Sequence, residues 1–137
     1  MGNTKPIGVA YEDQDIIGAD QIYSSGELGY TAVAQSTVTQ ATDKSTGVTL
    51  NKSAGQITMN AAALGATTNV AFVLTNSLLS AKDVVIVNVA GGTAATTSYN
   101  CWVSGHAAGS VTIVLRNITA GSLSEAVVLN FAVIHCM

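Results

Sequence analysis

From residue 31 onward the sequence is written in short runs rich in Thr, Val, Ile and Ala, each cut off after a few residues by Gly, Ser, Asn or Asp. β-Branched residues crowd a helix but fit a pleated strand, and the small polar residues between the runs are turn formers, so the pattern constrains the chain to an all-β fold. Eight runs predict strands: Val33–Ala41, Gly47–Leu50, Gln56–Met59, Asn69–Thr75, Asp83–Ala90, Ser98–Ser104, Ser110–Asn117 and Glu125–His135. Turns are expected at Asn76–Lys82, Gly91–Thr97, Gly105–Gly109 and Ala120–Ser124. Asn60–Leu64 is the best helix former, yet it supplies about one turn before Gly65 and reads as a connector. At 137 residues the chain suits one domain. The spacing predicts a single β-sandwich or jelly-roll-like domain of about eight strands over residues 31–137, preceded by an extended N-terminal arm.

Alternation shows which faces turn inward. Val70, Phe72 and Leu74, and likewise Val111, Ile113 and Leu115, occupy every second position and are expected in the core. In the last strand Val127, Leu129, Phe131 and Val133 share one face, but Val128, Ala132 and Ile134 on the other are apolar too. Val85, Val87 and Val89 stand likewise opposite Val84, Ile86 and Asn88. A sandwich has one interior, so the second faces are expected to meet other subunits.

Composition supports an assembled subunit. Charged residues are 9% of the chain, against about 25% in ordinary globular domains. With so few charges to keep copies apart, an isolated subunit is expected to associate. No apolar run reaches the ~18–20 residues of a membrane span. Five scattered Lys and Arg residues make no basic face for nucleic acid. Met1–Pro6 contains no apolar stretch of a secretion signal, which predicts folding in a cytosol and leaves the sequons at Asn51 and Asn117 without meaning.

Residues 1–30 are a different object. They carry Glu12, Asp13, Asp15, Asp20 and Glu27 against Lys5 alone, a net of −4, while residues 31–137 carry a net of +1. Pro6 biases its surroundings toward extended backbone, and Ile7, Val9, Tyr11, Ile16, Ile17, Ile22 and Tyr23 are mixed with the acids without the alternation of a core strand. Such a segment fits an arm laid along a partner.

The inventory for catalysis is thin, since Asp43, Asp83, Glu125, His106 and His135 are the only carboxylates and imidazoles of the β region. Ser104-Gly105-His106 lacks the flanking glycines of a nucleophile elbow. Cys101, His106, His135 and Cys136 are zinc-binding residue types, but the adjacent His135-Cys136 pair would point to opposite faces of a strand. The cysteines therefore read as one small buried thiol and one terminal free thiol, and no metal, cofactor or enzyme activity is expected. Tyr99, Trp102 and His106 are a candidate binding site at a loop end, set against the reading of Trp102 as core or subunit interface.

Lys5–Tyr11, continuing through Glu12-Asp13-Gln14-Asp15-Ile16-Ile17-Gly18-Ala19, resembles the opening of short virion proteins encoded beside tailed-bacteriophage capsid genes. Thr42–Asn51, continuing through Gly55–Met59, is similar to a β domain of phage structural proteins. The resemblance implies a small head surface protein of the decoration or cement type, trimeric, bound to the major capsid protein where capsomers meet and folded in the host cytoplasm. The arm residues named above would then supply the capsid contact. A tail-associated or receptor- or carbohydrate-binding adhesin module is the alternative.

Overall fold

A computed structural model of the chain describes residues 20, 21 and 23–136. Its strands are β1 (Gln35–Thr39), β2 (Val48–Thr49), β3 (Ala54–Thr58), β4 (Asn69–Thr75), β5 (Val84–Gly91), β6 (Tyr99–Ala107), β7 (Ser110–Asn117) and β8 (Val128–Ile134). They form two four-stranded sheets, ordered β1-β3-β8-β5 and β2-β4-β7-β6. The fold is the expected β-sandwich, and each predicted run overlaps one strand. The first four strands alternate between sheets, so β1 and β3 lie side by side in parallel, as do β2 and β4. A parallel neighbour cannot be reached by a tight hairpin, and here the opposite sheet supplies the crossover.

Several details differ from the expectation: β3 starts two residues early, at Ala54, and β8 three residues late, at Val128. Val33 and Ala34 belong to a 3-10 turn, Ala32–Ala34, so β1 starts at Gln35. Asn60–Leu64 forms no helical turn; Leu64 instead bridges Leu123. β6 continues through Gly105 to Ala107, leaving Ala108 and Gly109 as a two-residue hairpin turn with Gly109 at φ +78°.

The core lies where alternation placed it. Ile57, Leu129, Phe131 and Val133 of the first sheet face Phe72, Leu74, Val111, Ile113 and Leu115 of the second, all buried. Val85, Val87 and Val89 are partly buried against this cluster. β5 and β6, edge strands of opposite sheets, meet along one side with Cys101 beside Val89. One end of the sandwich gathers Tyr30, the Asn76–Asp83 loop, the Ala108-Gly109 turn and the chain end at His135-Cys136. The opposite end gathers Tyr99, Lys44 and Glu125.

Candidate functional site

Seven charged residues lie between positions 31 and 137, and only Arg116 stands on a strand. Asp43, Lys44, Lys52, Lys82, Asp83 and Glu125 sit in loops at the two ends. Two broad sheet faces are thereby left nearly free of charge, and the outer face of β1-β3-β8-β5 carries none.

Pairing register orders that face into rows. Thr37, Gln56, Asn130 and Asn88 run across the four strands as one polar row, within which Gln56 Nε2 donates to Asn130 Oδ1 at 3.0 Å. Beside it runs Gln35, Ala54, Ala132 and Ile86, and beyond that the pair Ile134 and Val84. Val84, Ile86 and Ile134 are each about half exposed, at 49%, 52% and 51%. Leu28–Tyr30 passes next to Ala132–Ile134, and the Tyr30 hydroxyl donates to the Val133 carbonyl. A shallow groove of about 580 Å³ opens over β1, β3 and β8, lined by Gln35, Thr37, Gln56 and Asn130 among others.

The titratable groups of the two ends serve the fold. At the Tyr30 end the Asp83 carboxylate accepts from the Ser80 N–H (2.9 Å) and hydroxyl (2.7 Å), the Cys136 N–H (3.0 Å) and His135 Nδ1 (2.9 Å). Those donors, the Ser80 pair foremost, hold its carboxyl well below the usual range. At the other end Lys44 is buried, and its Nζ donates to the Asn60 and Glu125 carbonyls. Burial lowers the Lys44 pKa, and the Glu125 charge opposes that shift. Burial, reinforced by Glu125, pushes the Tyr99 hydroxyl up to about 12. These two clusters lie at opposite ends of the sandwich and share no pocket.

Of the arm residues singled out in the sequence, Pro6, Ile7, Val9, Tyr11, Glu12, Asp13, Asp15, Ile16, Ile17 and Ile22 lie outside the described residues. Asp20 and Tyr23 are exposed, Tyr23 at 86%. Tyr99, Trp102 and His106 are not brought together at a loop end; all three lie on β6. Tyr99 and His106 are seven residues apart on it, roughly 20 Å at ~3.3 Å per residue. Trp102 pairs with Val114 on the outer face of its sheet, whereas Tyr99 points inward and is buried. Between Val103 and Gly105 the register shifts, so Ser104 is an inserted bulge residue. The bulge reverses the alternation and turns His106 inward opposite Val111, where neither ring nitrogen has a partner among the described residues. No sequence signal marks that bulge. Cys101 is half-buried and Cys136 exposed, both as free thiols, and burial raises the Cys101 pKa.

No family model matches the chain, and neither a curated protein nor a solved structure matches it.

Proposed function

We propose that this chain is a structural virion protein that binds the outside of a bacteriophage capsid and cements neighbouring capsomers, as a homotrimer and without enzymatic activity. The observation that supports this reading is the placement of charge: one charged residue on all eight strands, and the rest in end loops. Burying a charge is costly unless it is paired, so broad faces without charge are faces made to be covered. The resemblance of Lys5–Ala19 and Thr42–Met59 to phage virion proteins gives the covering partners a class.

In this reading the acidic arm reaches the major capsid protein. Thirty residues in extended form span up to ~100 Å at ~3.3 Å each, enough to cross a capsomer boundary. Three arms on one trimer bind multivalently, so modest contacts per arm combine into stable attachment. Glu12, Asp13, Asp15 and Asp20 meet basic capsid residues, which makes attachment weaken with salt. Anything that binds the assembled shell better than its loose subunits stabilises the shell.

The test uses particles lacking this protein, to which the full chain or a version without residues 1–30 is added. The full chain is expected to bind heads and raise their melting temperature, and the shortened one to bind more weakly. Equal binding by both overturns the arm mechanism. Binding of neither to heads overturns the cement reading in favour of the tail or adhesin alternative.

A further inference from the structure

We infer that the outer face of the β1-β3-β8-β5 sheet is where copies of this chain pack against one another. The inference takes from the proposed function only that copies assemble, and it names the face that does so. Val84, Ile86 and Ile134 form a contiguous strip, since Val84 pairs with Ile134 and Ile86 with Ala132. Leu28, at 91% exposure, and Tyr30 extend the same apolar surface beside the last residues of β8, Ala132–Ile134.

Charge selects the occupant. A basic or acidic partner gains nothing from a face without charge and would lose the hydration of its own charges there. The acidic segment of residues 1–30 is a poor cover for the same reason, because no cation stands on the face to pair with it. A second copy brings an equally uncharged surface. The polar row is also suited to its own image. After Gln56 Nε2 has donated to Asn130 Oδ1, Gln56 Oε1 remains as an acceptor and Asn130 Nδ2 as a donor. A surface that offers both can meet itself across a symmetry axis, where a surface of donors alone cannot.

The dimensions are sufficient. Four strands at ~4.8 Å spacing and five to eight residues at ~3.4 Å give a face of about 19 Å by 21 Å, or about 400 Å² per copy. Side-chain relief and the Leu28–Tyr30 segment add to that, so even two copies reach the ~1,000 Å² at which specific interfaces begin. Three such faces turned toward one axis cover more.

The test is sedimentation of the full chain across a range of concentrations. The unaltered chain is expected to sediment as an oligomer at micromolar concentration, and Ile86→Lys as a monomer. Val73→Lys, on the outer face of the other sheet, is expected to keep the oligomer mass. The Ile86 side chain is exposed, so the variant should retain its strand content by circular dichroism. Its melting temperature should no longer depend on protein concentration. Should Ile86→Lys fail to fold, Ile86→Thr takes its place and is expected to raise the dissociation constant at least tenfold. A monomeric unaltered chain, or unchanged assembly in whichever Ile86 variant folds, overturns the inference. Binding to heads is scored separately: particles that fail to bind an intact oligomer count against the cement reading and leave this interface standing.

Discussion

Asp83 fastens the loop before β5 to the chain end after β8, because its two oxygens take four donors from Ser80, His135 and Cys136. Its pKa in the folded chain lies below the unfolded value of 3.8, so the ionised carboxylate favours the folded state. That contribution is present above pH ~4 and is lost as pH falls from there through the folded pKa. Asp83→Asn is therefore expected to be less stable than the unaltered chain at neutral pH, with the gap closing below pH ~4. Urea melts at pH 7 and pH 3 check it, and an equal gap at both would refute the assignment. Asn117 does comparable work at the other end. Its amide donates to the carbonyls of Leu64, Gly65 and Gly121 and accepts from the Thr119 N–H and hydroxyl, all within 3.0 Å. The side chain is fully buried and ties the Leu64-Gly65, Thr119 and Gly121 segments together, so Asn117→Ala should cost about 2–4 kcal/mol in chemical denaturation, where a surface asparagine would cost almost nothing.

Among the strands, β8 shows what two apolar faces are for. It is flanked by β3 and β5, its Leu129, Phe131 and Val133 side fills the core, and its Ala132 and Ile134 side is the centre of the uncharged outer face. The connection after β5 depends on one glycine. Gly92 sits at φ +70°, and a Cβ there would run into the Ala126 carbonyl beside the chain entering β8. Gly92→Ala should destabilise the fold by about 2–4 kcal/mol, combining the left-handed backbone cost with a forced shift at Ala126. A melting temperature unchanged from that of the unaltered chain would contradict it. The Ser104 bulge acts in the same local way, since one inserted residue decides that His106 faces the core and Trp102 the outside.

Across the described residues, two kinds of surface are kept apart: charged loops at the ends and, between them, sheet faces that carry Arg116 alone. Among the described residues regular structure begins at Ala32, and Tyr30 is the earliest of them hydrogen-bonded to the β domain, through the Val133 carbonyl. Tyr23 and Leu28, ahead of it, are almost fully exposed. Limited chymotrypsin digestion of the free protein is therefore expected to cut before Tyr30 and leave the β domain intact, as read by mass spectrometry. A first cut within Val84–Ala90 would contradict that division of the chain.

Short β-branched runs between turn formers were enough to locate the strands, and the alternation of Val70, Phe72 and Leu74 and of Val111, Ile113 and Leu115 was enough to give the inner faces of β4 and β7, because a strand's period of two is written within a few neighbouring residues. The scarcity of charge was equally legible, as was the second apolar face of the strands around Ile86 and Ile134. Sequence alone could not say that β1 pairs with β3 in parallel, that β8 lies between β3 and β5, or that Tyr30 reaches Val133 across more than a hundred residues. Those choices are made by packing and by backbone hydrogen bonds between segments far apart in the chain, for which no local pattern exists. The same reason separates Tyr99, Trp102 and His106: their nearness along the chain suggested one site, while strand direction and a single bulge sent them to different ends and faces of the sandwich.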